Sequence, residues 1–173
     1  MEYTFTLKFH LPDETINVDD AIERLGAAGC DDALIGIGLP GRIALEFTRD
    51  ADSAIAALSS ALADVKRALP SSQLIEVSPD LVGLTDVADK VGVSRQNMRK
   101  LMLNHASTFP VPVHEGTTSL WHLLDVLAWL RERGGYLVSQ ELMEVAQVAL
   151  WMNLRKESAR LDDAPEELGL DFG

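Results

Sequence analysis

Two short helices joined by a tight turn are indicated by residues 84–103, which read LTDVADKVGVSRQNMRKLML. Thr85 can cap the first helix, Gly92 ends it, and Ser94 can cap a second helix that follows at once. Gly92 also allows the positive φ that such a turn needs. Apolar residues stand where the two helices would pack together: Val87, Val91, Val93, Met98 and Leu101. The spacing predicts a helix-turn-helix, and the alternative is a helical hairpin that only packs.

A strand, a turn and a third helix are expected after this pair. Residues 109–113 read FPVPV, residues 114–118 read HEGTT, and residues 119–121 read SLW. The proline-rich run and the glycine-containing turn predict a hairpin. A helix is then expected from about Leu123 to Arg133, where Val126, Trp129 and Leu130 recur at helical spacing. The pattern therefore predicts a wing beside the helix-turn-helix, together forming a domain at residues 81–134.

The second helix of the pair carries the side chains that a DNA-reading helix uses. Its expected exposed face holds Arg95, Gln96, Asn97, Arg99 and Lys100. Amide side chains pair with adenine and arginine pairs with guanine, so Gln96, Asn97 and Arg99 are candidates for base contacts. Arg95 and Lys100 are candidates for phosphate contacts. The alternative is a solvated helix face without a ligand.

The predicted wing offers further hydrogen-bond donors for phosphate. Thr117, Thr118 and Ser119 can donate from their hydroxyls, the Gly116 amide can add to them, and so can His114. A plain hairpin turn explains the same residues equally well.

Residues 84–130 resemble the winged helix-turn-helix of MerR-like and excisionase-like DNA-binding proteins. The shared layout is a helix, Gly92-Val93-Ser94, a second helix, a proline-rich strand, a wing, Trp121, and a helix ending in Trp129-Leu130. The resemblance covers about 50 of 173 residues and implies DNA binding. The chain lacks a cysteine ligand set and carries the reading domain in its middle, so effector sensing is not implied.

The first 78 residues predict a ferredoxin-like domain that binds a partner or associates with itself. Tyr3, Phe5, Leu7, Phe9 and Leu11 alternate with polar residues, which is typical of a half-buried strand. A helix capped by Asn17 follows, then a buried strand over residues 33–39, a Pro40-Gly41 turn and a partner strand. A helix over residues 53–69 and a strand at residues 74–77 complete the βαββαβ order. Residues 78–80 are expected to be a hinge.

The C-terminal part predicts a helix at residues 137–160, capped by Ser139, and an acidic tail at residues 161–173. The helix has an apolar stripe too broad for one domain surface to cover, which indicates a partner helix in a homodimer. The candidate dimerisation residues are Leu142, Val145, Ala149, Trp151 and Met152.

Composition and charge limit the classes of function. The net charge is −12, and only the middle of the chain is not acidic, with 14 acidic and 6 basic residues in 1–80. The chain has one cysteine, Cys30, which excludes an internal disulfide. The sequence also has no apolar stretch long enough to span a membrane, so a cytoplasmic location is expected. No nucleophile elbow, phosphate loop, metal-ligand spacing or cofactor motif occurs, so no enzyme and no metal are expected. Acid pairs such as Asp31 with Asp32 indicate an ordinary surface.

These features favour a sequence-specific transcription regulator that binds double-stranded DNA. An antitoxin that represses its own operon is a special case, because an acidic domain suits a basic partner. The alternative is an interaction adaptor in which the helix-turn-helix is a docking surface and the negative charge repels DNA.

Overall fold

The computed structural model describes residues 1–12, 14 and 16–161 of the chain. Over these residues the predicted α+β class is confirmed, with six helices and a four-stranded antiparallel sheet. In that part of the chain, no helix is both long and apolar enough to cross a bilayer. The elements are β1 Glu2–His10, α1 Val18–Ala27, β2 Ala33–Ile37, β3 Arg42–Asp50, α2 Ala54–Ala68, β4 Gln73–Ser78, β5 Leu81–Val82, α3 Leu84–Val91, α4 Arg95–Asn104, β6 Trp121–His122, α5 Leu123–Arg133 and α6 Gln140–Ala159.

The larger sheet has the strand order β2-β3-β1-β4, and every pairing in it is antiparallel. One face of the sheet forms the first core, because alternate residues of β1 and β3 point into it. The buried strand residues in this core are Tyr3, Phe5, Leu7, Phe9, Ile43, Leu45, Phe47 and, from β4, Val77. Helices α1 and α2 cover that face through residues such as Ala21, Leu25 and Leu58. The alternation predicted for β1 is therefore confirmed.

The strand predicted at residues 33–39 is shorter and less buried than expected. It spans Ala33–Ile37 and lies at an edge of the sheet, paired only with β3. Leu34 remains 74% exposed because its side chain points away from the face that carries the helices. An apolar run cannot by itself distinguish a central strand from an edge strand, and that is why the prediction was wrong here.

The helix pair at residues 84–104 has the predicted turn and one unexpected cap. Gly92 ends α3 with φ +72°, and the Ser94 hydroxyl caps α4 by accepting from the Asn97 N–H at 3.1 Å. Thr85 does not cap α3. That helix begins at Leu84 with Gly83 as its N-cap, two residues before the predicted cap, and the Gly83 N–H donates to the Asp86 carboxylate at 3.0 Å. Thr85 is exposed on the first turn instead.

Helix α6 packs against both halves of the chain, which the sequence did not predict. Val145, Val148 and Ala149 enter the core of the four-stranded sheet, while Ala146 enters the second core, formed with α3, α4 and α5. The Ser139 cap is confirmed, with its hydroxyl accepting from the Leu142 N–H at 3.1 Å. The predicted acidic tail, except for Leu161, lies outside the described residues.

The segment expected to be a hinge is fixed by buried hydrogen bonds. Asp80 is only 2% exposed, and its carboxylate contacts His122 Nδ1 at 2.7 Å and accepts from Asn153 Nδ2 at 2.8 Å. The Asp80 carbonyl also accepts from the Leu123 N–H at 2.7 Å. Residues from α5, α6 and the linker therefore meet at one point, which holds the two cores in a fixed relation.

A partly buried polar cluster is formed by Arg49 with Asp32 and Asp64, beside the first core. Arg49 donates to Asp32 at 2.6 Å, to Asp64 at 2.9 Å and to the Gly29 carbonyl at 3.1 Å. Hydrogen bonding to Asp32 raises the pKa of Arg49. Asp32 is thus an ion-pair partner rather than the ordinary surface acid expected. Nearby, burial raises the pKa of the Cys30 thiol to about 11.

Candidate nucleic-acid interface

Helix α4 is anchored by one apolar face and presents the opposite face to solvent. Met98 is fully buried in the second core, and Val93 and Leu101 pack against it. The remaining positions follow from the helical period, since residues on the far side of Met98 must point outward. The exposed residues include all five that the sequence analysis selected, Arg95, Gln96, Asn97, Arg99 and Lys100.

The hairpin after α4 is held by its own hydrogen bonds. The Val113 N–H donates to the Leu120 carbonyl at 2.7 Å, and the Leu120 N–H donates to the His114 carbonyl at 2.9 Å. The Trp121 indole donates to the Pro110 carbonyl at 2.9 Å, which fixes the first strand of the hairpin to the second core. Residues 115–119 are left as the connecting loop.

Gly116 lies close to the exposed His114 side chain inside that loop. A Cβ at this position would lie 2.9 Å from His114 Nε2, closer than two such atoms pack. The His114 ring therefore folds back over the backbone of its own hairpin. A larger residue at position 116 would displace the His114 ring.

A groove of about 540 Å³ separates α4 from the hairpin loop. Arg95 and Arg99 stand on the α4 side, one helical turn apart, and Thr117 and Thr118 stand on the loop side. The other lining residues come from the start of α3, from the loop and from the second core: Gly83, Leu84, Thr85, Asp86, Met102, Gly116, Ser119, Leu120 and Trp121. Two arginines and two hydroxyl side chains therefore face one another across a groove.

The other side of α4 borders a smaller depression of about 290 Å³. Asn97 and Lys100 line it together with Arg133 and Tyr136 from the end of α5 and the segment that follows. Gln96 is exposed but lines neither hollow, and His114 is exposed on the hairpin outside both. The structure thus divides the predicted DNA-binding residues over two neighbouring surfaces joined by α4.

The basic side chains of α4 are not neutralised by the rest of the described chain. Within residues 1–12, 14 and 16–161, no carboxylate lies within ion-pair distance of Arg95, Arg99 or Lys100. The Asp86 carboxylate, which lies in the larger groove, accepts a hydrogen bond from the Gly83 N–H. Three cations are therefore available to an anionic ligand at this surface.

Two residues beside α4 were not selected from the sequence. The Arg133 guanidinium lies over the Trp129 ring at 5.4 Å and extends the basic surface beyond α4. Tyr136 joins the same depression after the glycine pair at residues 134 and 135. The sequence places Arg133 in the last turn of α5, but a basic residue is common there because it complements the helix dipole. Its position alone therefore did not identify it as part of the interface.

The dimerisation residues predicted on α6 are largely occupied within the chain. Val145 is 1% exposed and Ala149 is fully buried, so neither can contact a second copy, and this part of the prediction is wrong. Leu142 and Met152 are half-buried against the two cores. Trp151 alone remains prominent, at 49% exposed. The broad apolar stripe is explained by the position of α6 between two cores.

Comparison with protein-family models, with curated proteins and with solved structures finds no match for this chain. Among the described residues, no three histidine, cysteine or acidic side chains cluster closely enough to hold a metal ion.

Proposed function

We propose that this protein is a sequence-specific DNA-binding transcription regulator that uses α4 as its reading helix. The observation that carries the proposal is the groove in which Arg95 and Arg99 of α4 face Thr117 and Thr118 of the hairpin loop. A reading helix contacts base edges through residues near its N-terminus, and α4 begins at Arg95. Loop hydroxyls beside such a helix suit phosphate oxygens.

The finer fold assignments belong to the same proposal. Residues 1–78 are assigned to a ferredoxin-like domain, supported by the order β1, α1, β2, β3, α2, β4. Residues 81–134 are assigned to a winged helix-turn-helix similar to those of MerR-like and excisionase-like proteins. The αL turn at Gly92 and the hairpin ending at Leu120 support that assignment.

Each side chain on α4 has a proposed role. Gln96, Asn97 and Arg99 read base edges, because amides match adenine and arginine matches guanine in the major groove. Arg95 and Lys100 hold phosphates on either side of the helix, helped by Thr117, Thr118 and His114 from the hairpin. These contacts fix the register of the protein on the duplex without reading sequence.

The net charge of −12 does not exclude DNA binding, because the charge is unevenly distributed. Screening in about 0.15 M salt limits the repulsion from acidic residues more than about 8 Å from the duplex. The same charge favours a second candidate function, an adaptor that docks proteins on the helix-turn-helix surface. An acidic first domain would also suit a basic partner, as in an antitoxin that represses its own operon.

A binding assay with matched variants tests the proposal. The purified chain is titrated onto DNA from upstream of its own gene, and onto a random-sequence pool, at two salt concentrations. We expect specific binding that Asn97→Ala and Arg99→Ala each weaken by about tenfold to a hundredfold, while Gln147→Ala on the exposed side of α6 changes nothing. Equal affinity for all sequences and all variants would contradict the proposed reading helix. No binding even at about 50 mM salt would favour the adaptor.

A further inference from the structure

The two edge strands of the four-stranded sheet, β4 and β2, differ in whether their outward backbone groups have hydrogen-bond partners. At the β4 edge, the Asn153 amide accepts from the Val77 N–H at 2.8 Å and donates to the Val77 carbonyl at 2.7 Å. The Lys156 ammonium donates to the Ile75 carbonyl further along the same edge. Side chains of α6 therefore satisfy the backbone groups of β4 that another strand would otherwise pair with.

The β2 edge has no such cover within the described residues. It reads ALIGI over Ala33–Ile37, without a charged residue or a proline. Leu34 is 74% exposed, Ile37 is 47% exposed, and Leu39 just beyond the strand is 71% exposed. Natural sheets normally protect an open edge with charges, prolines or bulges, because unpaired backbone groups there pair readily with another chain. An open apolar edge of this kind needs a partner.

The hydrogen-bond pattern shows which backbone groups the β2 edge offers. The Thr48 N–H donates to the Asp32 carbonyl at 3.2 Å, so the backbone of residue 32 faces β3. The direction alternates along an antiparallel strand, so Leu34 and Gly36 also bond to β3. Ile35 and Ile37 consequently direct their N–H and C=O groups to the open side, as Ala33 does with its C=O group. The Ala33 N–H donates to the Cys30 carbonyl at 3.3 Å.

We propose that β2 pairs antiparallel with β2 of a second copy of this chain, with Ile35 opposite Ile35 of that copy. In this register the outward backbone N–H and C=O groups of β2 in one copy meet those of β2 in the other. Leu34 then lies beside Gly36 of the second copy, and Ala33 lies beside Ile37 of the second copy. Leu34 and Ile37 each face a small residue of the second copy, and the two Ile35 side chains meet at the two-fold axis. The joined sheet continues through eight strands.

Gly36 is explained by this pairing and not by the fold of one chain. A Cβ at position 36 would meet only the Ala44 carbonyl oxygen, at 3.8 Å, which is an ordinary contact. Gly36 is also absent from the glycines with positive φ, so its backbone suits any residue. A glycine inside a strand weakens it unless another group approaches closely. In the dimer that group is the exposed Leu34 side chain of the second copy.

Helix α1 extends the apolar surface beside β2. Val18 is 44% exposed and lines the same cavity as Ile37, and Ile22, one turn along α1, is 42% exposed. The two-fold axis relating antiparallel strands places both α1 helices on one face of the joined sheet. Full burial of one such side chain removes about 60–120 Å², and the five apolar residues expose on average roughly half of theirs, so together they supply roughly 250 Å² per copy.

That apolar area is enough for a modest dimer. Counted over both copies, at the usual non-polar fraction of about 57%, it corresponds to an interface of roughly 900 Å² in total, near the lower limit for specific association. The surface around Trp151 is a weaker candidate for the dimer interface than the β2 edge, because it lies on a helix and has no unpaired strand backbone groups. The proposal does not depend on DNA binding and is tested without DNA.

Cysteine cross-linking tests the register directly. Leu34→Cys and Gly36→Cys are prepared separately, then mixed in equal amounts and oxidised under mild conditions. Residues 34 and 36 of opposite copies form a non-hydrogen-bonded pair about 4.5 Å apart between Cα atoms, which suits a disulfide. We expect the mixture to form covalent dimer several-fold faster than either variant alone. Equal rates for the mixture and the single variants, or none above the wild-type chain, would overturn the register.

A pair of charge variants tests the dimer without oxidation. Leu34→Lys/Gly36→Lys places like charges opposite each other across the two-fold axis, whereas Leu34→Lys/Gly36→Glu places opposite charges there. Both sites tolerate substitution within one chain, which circular dichroism checks. Light scattering should give a dimer for the wild-type chain and the Lys/Glu variant, with the Lys/Lys variant about tenfold weaker or more. A monomeric wild-type chain at about 100 μM, or a dimer abolished by Trp151→Ala instead, would overturn the proposal.

Discussion

Removal of the Asn153 side chain should uncouple α6 from the sheet and from the linker at Asp80. In the folded chain this amide makes three hydrogen bonds of 2.7–2.8 Å, two to the Val77 backbone and one to the Asp80 carboxylate. Asn153→Ala leaves the Val77 N–H, the Val77 carbonyl and one carboxylate oxygen without those partners. Asp80 keeps its contact with His122, so the loss is confined to the α6 side.

The magnitude follows from the number of groups left unpaired. Each buried polar group that loses its partner costs about 1–3 kcal/mol, and water that enters the space left by the Asn153 side chain recovers part of it. We therefore expect Asn153→Ala to lower the free energy of unfolding by about 3 kcal/mol. For a chain of this size that corresponds to a fall in Tm of roughly 6–12 °C. Urea denaturation followed by circular dichroism, together with calorimetry, measures both quantities.

The matched control is Gln147→Ala, which removes an amide from the exposed side of the same helix. Its free energy of unfolding should stay within about 0.5 kcal/mol of the wild-type value. If Asn153→Ala were as stable as Gln147→Ala, the hydrogen bonds from α6 would not hold the two cores together, and the reasoning would be refuted.

Experiments on Gly92, Cys30 and Arg49 test other parts of the fold. Gly92→Val should lower the free energy of unfolding by about 1–2 kcal/mol because the φ of Gly92 is +72°, and Gly92→Asn should lower it less. Equal melting temperatures for the wild-type chain and Gly92→Val would contradict the αL turn. The pKa of the Cys30 thiol is raised to about 11, so little of it is thiolate at pH 8. In the folded chain it should therefore react with a thiol reagent about a hundredfold more slowly than in the chain unfolded by urea. Similar rates in the two states would exclude burial of Cys30. Because the folded chain retains the Cys30 proton up to that pKa, the stability from the buried thiol should decline as the pH rises from 9 towards 11, as urea melts at several pH values would show. Arg49→Ala should lower the free energy of unfolding by about 3 kcal/mol, since Asp32 loses its cation and Asp64 keeps only Arg67. Adding Asp32→Asn should recover part of that loss; an unchanged urea midpoint would show that the cluster is dispensable.

Local patterns in the sequence predicted the elements well, because helix caps and apolar periods depend on neighbouring residues. Asn17, Ser94 and Ser139 each accept the backbone hydrogen bond that their positions predict. The alternation in β1 likewise fixes which face of the strand is buried. Thr85 failed as a cap because a glycine with an acid three residues later satisfied the same helix end.

Long-range arrangements could not be predicted, because they depend on which surfaces meet. The apolar stripe containing Val145 and Ala149 was interpreted as a dimer surface, but an intramolecular groove between two cores has the same signature. The edge position of β2 had no local signal either. For the candidate interface, the exposed residues of α4 were predictable from Met98 and the helical period, whereas the approach of Thr117 to Arg99 required the fold.

The salt dependence of DNA binding tests the proposed interface most directly. The affinity of the wild-type chain for its upstream DNA is measured by fluorescence anisotropy between about 50 and 200 mM salt, beside Arg95→Ala/Arg99→Ala and the control Arg24→Ala/Arg42→Ala. The control arginines are exposed on the first domain, away from α4. Because Arg95 is proposed to neutralise a phosphate and Arg99 to contact a base, removal of both should reduce the slope of log K against log salt by about 0.9 and should weaken binding. The control pair should keep the wild-type slope. An unchanged slope and affinity in the α4 variant, or an equal loss in the control, would contradict DNA binding through this surface.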